Sequence, residues 1–128
     1  MSSDPFQPGQ HPVPGQIGYL QLPALDVSVS AAFYRAVFGW TVPSDSDNPG
    51  FTDGSGHVIG HWRTDFTVAG AGGIRPYIYV DGVDEVVSRI VANGGTIVQP
   101  RYDEGNLWVA HFEDPAGNVL GVWELAHR

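Results

Sequence analysis

FTDGSGHVIGHW at residues 51–62 and FEDPAGNVLGVW at residues 112–123 align without a gap and share six of twelve positions: Phe51/Phe112, Asp53/Asp114, Gly56/Gly117, Val58/Val119, Gly60/Gly121 and Trp62/Trp123. A match of this density is well above chance, so the chain contains two copies of one unit. Upstream segments align at an offset of 56, through Val27/Val83, Ala36/Ala92, Gly39/Gly95 and Val42/Val98. The alignment of the closing segments has an offset five residues larger, which a longer loop in the second copy would absorb.

Strand and helix signals alternate within each copy. IGYLQLPAL at residues 17–25 has strand character. The following VSVSAAFYRAVFG has helix length, with apolar residues at 27, 31, 34 and 38 and Gly39 where a helix would stop. This helix is apolar nearly all round, so its periodicity leaves the buried face open. In the second copy RPYIYV reads as a strand, and Val83, Val86, Val87, Ile90 and Val91 form a helical stripe, with Asp84 and Glu85 in the first turn and Gly94 at the end. Further strands are expected at WTV, FTDG and HVIGHW in the first half and at TIVQP, LWVAHF and NVLGVW in the second. Asp53 and Asp114, each followed by Gly or Pro, read as turn anchors. The result is an α+β chain of two tandem βαβββ modules over about residues 17–62 and 75–125. TDFTVAGAGGI joins them, and together they make one domain over residues 17–128. A module with one helix on one sheet leaves an apolar face to bury, which pairing two modules accomplishes.

Composition excludes several kinds of chemistry. The 128 residues are 42% hydrophobic and 16% charged, enough apolar mass for one ordinary domain. Fourteen acidic residues against six basic ones give a net charge of −8. No Lys/Arg cluster exists to hold phosphates, so neither nucleic acid nor an anionic membrane is an expected partner. All six basic residues are Arg, which excludes a Schiff-base lysine and a lysine-containing P-loop, and the absence of Cys excludes thiol nucleophiles and thiolate metal sites. No apolar run approaches the ~18 residues of a membrane helix. Residues 1–16 form a proline-rich arm without the basic start and apolar middle of a signal peptide, so the protein is expected to be cytoplasmic.

Three segments, DVSVSAAFYRAVFGW, VDGVDEVVSRIVANGG and FEDPAGNVLGVWE, resemble the vicinal oxygen chelate superfamily of glyoxalases, bleomycin-resistance proteins and extradiol dioxygenases. The resemblance covers about residues 17–125 and implies two βαβββ modules whose curved sheets surround a cleft. Metal-bearing members place a ligand, commonly His or Glu, on the first and the last strand of each unit. In this register those positions fall on Tyr19 and Arg75, and on Gly60 and Gly121, none of them a usual ligand. No metal ligand and no cofactor is therefore assigned. His57 and His61 lie four apart, but four residues of strand span ~13 Å and cannot share one ion. Alternation also turns both away from Gly60, while His11, His111 and His127 read as structural or surface residues.

Strand alternation composes the cleft from residues sharing a face with those four positions: Tyr19, Gln21, Gly60 and Trp62 from the first module, and Arg75, Tyr77, Tyr79, Gly121 and Trp123 from the second. Glycine in place of a ligand-bearing side chain leaves volume, and Trp and Tyr around it with Gln21 and Arg75 as polar handles match the make-up of small-molecule sites. The same aromatics would also serve a filled core. The leading expectation is a metal-free protein that binds a small aromatic or cationic organic molecule, for sequestration or resistance. One alternative is an enzyme: a lyase, isomerase or dioxygenase with displaced ligands such as His57, His61 or Glu124, or a metal-free catalyst acting through Tyr and Arg. Another is a dimeric interaction module with a filled cleft. A homodimer is expected under each, by the resemblance and because sheet edges need covering.

Overall fold

The computed structural model describes residues 11–43 and 49–126. Its elements run β1 (Tyr19–Pro23), α1 (Val27–Phe38), β2 (Gly50–Thr52), β3 (Ile59–Arg63), β4 (Tyr77–Tyr79), α2 (Val83–Ala92), β5 (Thr96–Glu104), β6 (Leu107–Glu113) and β7 (Val119–Leu125). They fall into two compact units, Met1–Phe66 and Thr67–Arg128. Each carries one helix and one mixed sheet, as the repeat requires. The first sheet has the order β1-β3-β2 and the second β4-β7-β6-β5, with β1 parallel to β3 and β4 parallel to β7. The WTV strand expected in the first half is reduced to a single bridge between Thr41 and Thr52. Among the described residues no helix is long and apolar enough to cross a membrane.

In the first unit α1 begins where the Asp26 carboxylate accepts the Ser28 backbone N–H at 3.0 Å. It ends at Gly39, whose φ of 70° lets its N–H return to the Arg35 carbonyl. The face that periodicity left open is settled by Ser30, Ala31, Phe33, Tyr34 and Val37, all buried. Tyr34, Trp40, Phe51 and Trp62 then pack in series, with successive centroids 4.6, 4.6 and 4.8 Å apart. Each such contact contributes about 1 kcal/mol beyond the area it buries. Trp62 is 1% exposed, so it belongs to the core of this unit.

The second helix is held differently. Gly82 at its N-cap has no side chain to offer, and the Glu124 carboxylate of β7 accepts the Val83 N–H at 2.9 Å instead. Negative charge at that end also opposes the positive pole of the helix. Val83, Val86 and Ile90 are buried against the sheet, while Val91 is 58% exposed, so the apolar stripe is narrower than expected. Pro100 lies in β5, which is an edge strand, where the missing N–H is tolerated and the pairing with β6 shifts register twice.

Asp53 and Asp114 anchor turns, as expected, but the turns differ in length. Asp53 N–H bonds to the Val58 carbonyl, whereas Asp114 N–H bonds to that of Asn118. The first turn is thus one residue longer, and the strands beyond it are offset by one. Thr52 pairs with Ile59 and Phe51 with Gly60, whereas Glu113 pairs with Val119 and Phe112 with Leu120. The structural counterpart of Gly121 is therefore His61, not Gly60. A one-residue slip sends every following side chain to the opposite face.

Candidate functional site

Each unit has one sheet face turned away from its helix. In the first unit this face carries Tyr19, Gln21 and His61, and the Tyr19 hydroxyl lies 3.0 Å from His61 Nδ1. Gln21 Nε2 donates to the same hydroxyl at 3.5 Å. Gly50 lies across from His61, and a Cβ there would sit 3.1 Å from the imidazole Nε2. Gly60 and Trp62, expected beside Tyr19 and Gln21, face α1 instead. The extra turn residue is the cause: a Cβ at Gly60 would run into the Leu20 carbonyl and the Phe51 ring, so this glycine makes room for core, not for a ligand.

In the second unit the turn is short, and the expected grouping of Tyr77, Tyr79, Gly121 and Trp123 is present. Ladder pairing sets two rows across the sheet: Tyr77, Gly121, His111 and Gln99, then Tyr79, Trp123, Val109 and Tyr102. Tyr79 stands edge-on to Trp123 with centroids 5.0 Å apart and is 52% exposed. The space over Gly121 is filled by the Tyr77 ring, against which a Cβ at 121 would collide. That placement carries the Tyr77 hydroxyl to 2.7 Å from His111 Nε2.

Arg75, just before β4, completes the cluster. One guanidinium nitrogen donates to the Ala71 carbonyl at 3.0 Å and another lies 3.2 Å from His111 Nδ1. From β5 the Tyr102 hydroxyl donates to Glu104 at 3.0 Å and lies 3.4 Å from His111 Nε2. Burial, followed by the Arg75 charge, holds His111 below the usual histidine range, with Glu104 opposing. Burial and the Glu104 carboxylate push Tyr102 up to about 12. The face therefore presents a neutral imidazole between a cation and two phenols, beside an aromatic pair of which Tyr79 is exposed and Trp123 partly buried.

Tyr102 and Glu104 were not singled out in the sequence, and His111 was read there as a structural or surface residue. Alternation counted from Gly121 back through the short hairpin would have found His111. The two register shifts of β5 hide the facing of Tyr102 and Glu104. Glu124, a displaced-ligand candidate, is engaged at the start of α2.

A family model described as a glyoxalase-like domain matches residues 20–123. The chain belongs to the glyoxalase-like domain family. CFP32 of Mycobacterium bovis, a provisionally named glyoxylase, is 30% identical over 122 residues, covering 86% of this chain and 46% of its own length. The anthracycline biosynthesis protein DauV of Streptomyces sp. strain C5 is 32% identical over 123 residues, covering 88% and 42%. This glyoxalase-like chain thus spans about half the length of the curated relatives it matches. A glyoxalase/bleomycin resistance protein/dioxygenase family enzyme from Burkholderia phytofirmans has the same fold, with a TM-score of 0.70 at 20% identity over 84% of this chain and 97% of that one.

The metal that the superfamily resemblance implies does not suit the residues of this glyoxalase-like chain. With the register corrected, the four positions hold Tyr19, His61, Arg75 and Gly121, of which one is a common ligand and one is a cation that only donates. Among the described residues no group of three or more His, Asp or Glu converges.

Proposed function

We propose that the protein binds a small aromatic molecule on the open face of its second unit, stacked against Tyr79 and Trp123 and held by polar contacts from the Tyr77–His111–Arg75 cluster. The observation that carries this reading is the juxtaposition itself. The half-exposed Tyr79, edge-on to the partly buried Trp123, adjoins a hydrogen-bonded cluster of Arg, His and Tyr on a face that no helix of the unit covers. Such an apolar platform with few placed polar groups suits small-molecule recognition. DauV, named for anthracycline biosynthesis, fits an aromatic guest, since anthracyclines are fused-ring compounds. Binding of this kind, for sequestration or resistance, needs no catalytic residue.

The test is titration with anthraquinone-2-sulfonate, followed by quenching of Trp fluorescence. Saturable binding is expected. Trp123→Ala should weaken it about ten-fold, the loss of one stacking partner, while Trp108→Ala leaves affinity unchanged. Equal losses in both folded variants, or no saturable binding, would overturn the reading. A second reading, metal-free acid–base catalysis, is favoured by the 2.7 Å contact between Tyr77 and His111. It predicts turnover by metal-stripped protein that Tyr77→Phe abolishes.

A further inference from the structure

The hydrogen-bond partners of His111 fix where its proton lies. A guanidinium can only donate, so the nitrogen it approaches at 3.2 Å, Nδ1, must be bare and accepting. The single proton of the neutral imidazole is then on Nε2, which donates to the Tyr77 hydroxyl oxygen at 2.7 Å. The reverse arrangement would set an Nδ1–H against the guanidinium N–H. A doubly protonated ring would do the same and set its positive charge beside that of Arg75. Tyr102 does not take part as a competing donor, because its own hydrogen goes to Glu104.

The Tyr77 oxygen already accepts from His111, its ring is held over Gly121, and the residue is 42% exposed. Its hydroxyl hydrogen therefore has no acceptor shown among the described residues and points away from the imidazole. We infer that Tyr77 is an obligate hydrogen-bond donor to the ligand, set in that role by Arg75 acting through His111. The aromatic guest accordingly carries a carbonyl-type acceptor oxygen near β4. Arg75 here is a positioning residue: it need not touch the ligand to decide which way the Tyr77 hydrogen turns. The inference rests on the proposed binding role of this face and adds the chemical class of its guest.

The probes are 1-indanone and indane, which differ by one carbonyl in place of one methylene. Both are titrated by NMR at pH 7.5 using the Trp123 indole N–H and the Tyr79 ring resonances. The wild type is expected to prefer 1-indanone about five-fold, the worth of one neutral hydrogen bond. Tyr77→Phe, which keeps the ring over Gly121, should erase the preference while still binding indane. Arg75→Met should erase it too, since a released Nδ1 lets the Tyr77 hydrogen turn toward the imidazole. Nitrogen-15 spectra of His111 in the wild type should show a protonated Nε2 and a bare Nδ1, a signature that a merely structural Arg75 would not need. Equal binding of the two probes, a preference that survives Tyr77→Phe, or a proton on Nδ1 would overturn the donor role while the binding face stands. Failure of both probes to bind would overturn the binding face and the donor role with it.

Discussion

A methyl group added at residue 60 would meet different obstacles from one added at residue 121. At 60 the nearest atoms are the Leu20 backbone carbonyl and the buried Phe51 ring, neither able to retreat without moving a strand or the core. At 121 the obstacle is the Tyr77 ring, a half-exposed side chain that can swing outward. Gly60→Ala is therefore expected to destabilise the protein by about 2 kcal/mol, in the range for overpacked sites. Gly121→Ala should cost less than about 1 kcal/mol, but it should break the Tyr77–His111 hydrogen bond. Urea denaturation of the two variants, with the His111 ring resonances as the local reporter, checks both outcomes. A larger loss for Gly121→Ala would contradict the facing assigned to these glycines. The same pair shows what identity between the copies hides: equal residues occupy unequal places, because the turn from Asp53 to Val58 holds one residue more than that from Asp114 to Asn118.

Helix α2 depends on a residue far away in sequence. Gly82 cannot cap it, so the Val83 N–H is satisfied by Glu124 from β7, 41 positions on. Glu124→Ala should remove both the hydrogen bond and the charge facing the helix pole, costing about 1 kcal/mol, or about 3–6 °C in Tm. Asp26→Ala should destabilise α1 by a similar amount, since that cap is local. Thermal unfolding by circular dichroism measures both, and an unchanged Tm for Glu124→Ala would sink the tertiary cap. A stop signal carried by the helix's own sequence is legible, and Gly39 marks the end of α1 correctly. A cap delivered across the sheet is not, which is why Glu124 read as a displaced metal-ligand candidate. Elements and their order were legible because period and punctuation are local. The partner strand that decides a facing is not local, so Trp62 was assigned to the wrong face and His111 was read only as a structural or surface residue.

At the scale of the whole molecule the repeat gave the twofold architecture correctly, but the two sheets have diverged in what they expose. The first has a short open face with Tyr19, Gln21 and His61; the second concentrates Arg75, Tyr77, Tyr102, Glu104 and His111 around one imidazole. That concentration couples the site to global stability through pH. His111 is held below the usual histidine value of 6.5 by burial and by Arg75, against the opposing pull of Glu104. Between its folded value and 6.5 the unfolded chain binds the proton more readily, so unfolding takes up protons. The stability contributed by a neutral His111 is therefore fully present above pH 6.5 and is lost as pH falls from there through the folded value. His111→Gln, which cannot titrate, should abolish this component. Urea midpoints measured at pH 7.5, 6.5 and 5.5 are expected to fall more steeply for the wild type than for the variant. Parallel curves would mean that the imidazole is as easily protonated in the folded protein as in the unfolded chain. The bare Nδ1 facing Arg75, on which the donor role of Tyr77 depends, would then lose its physical basis.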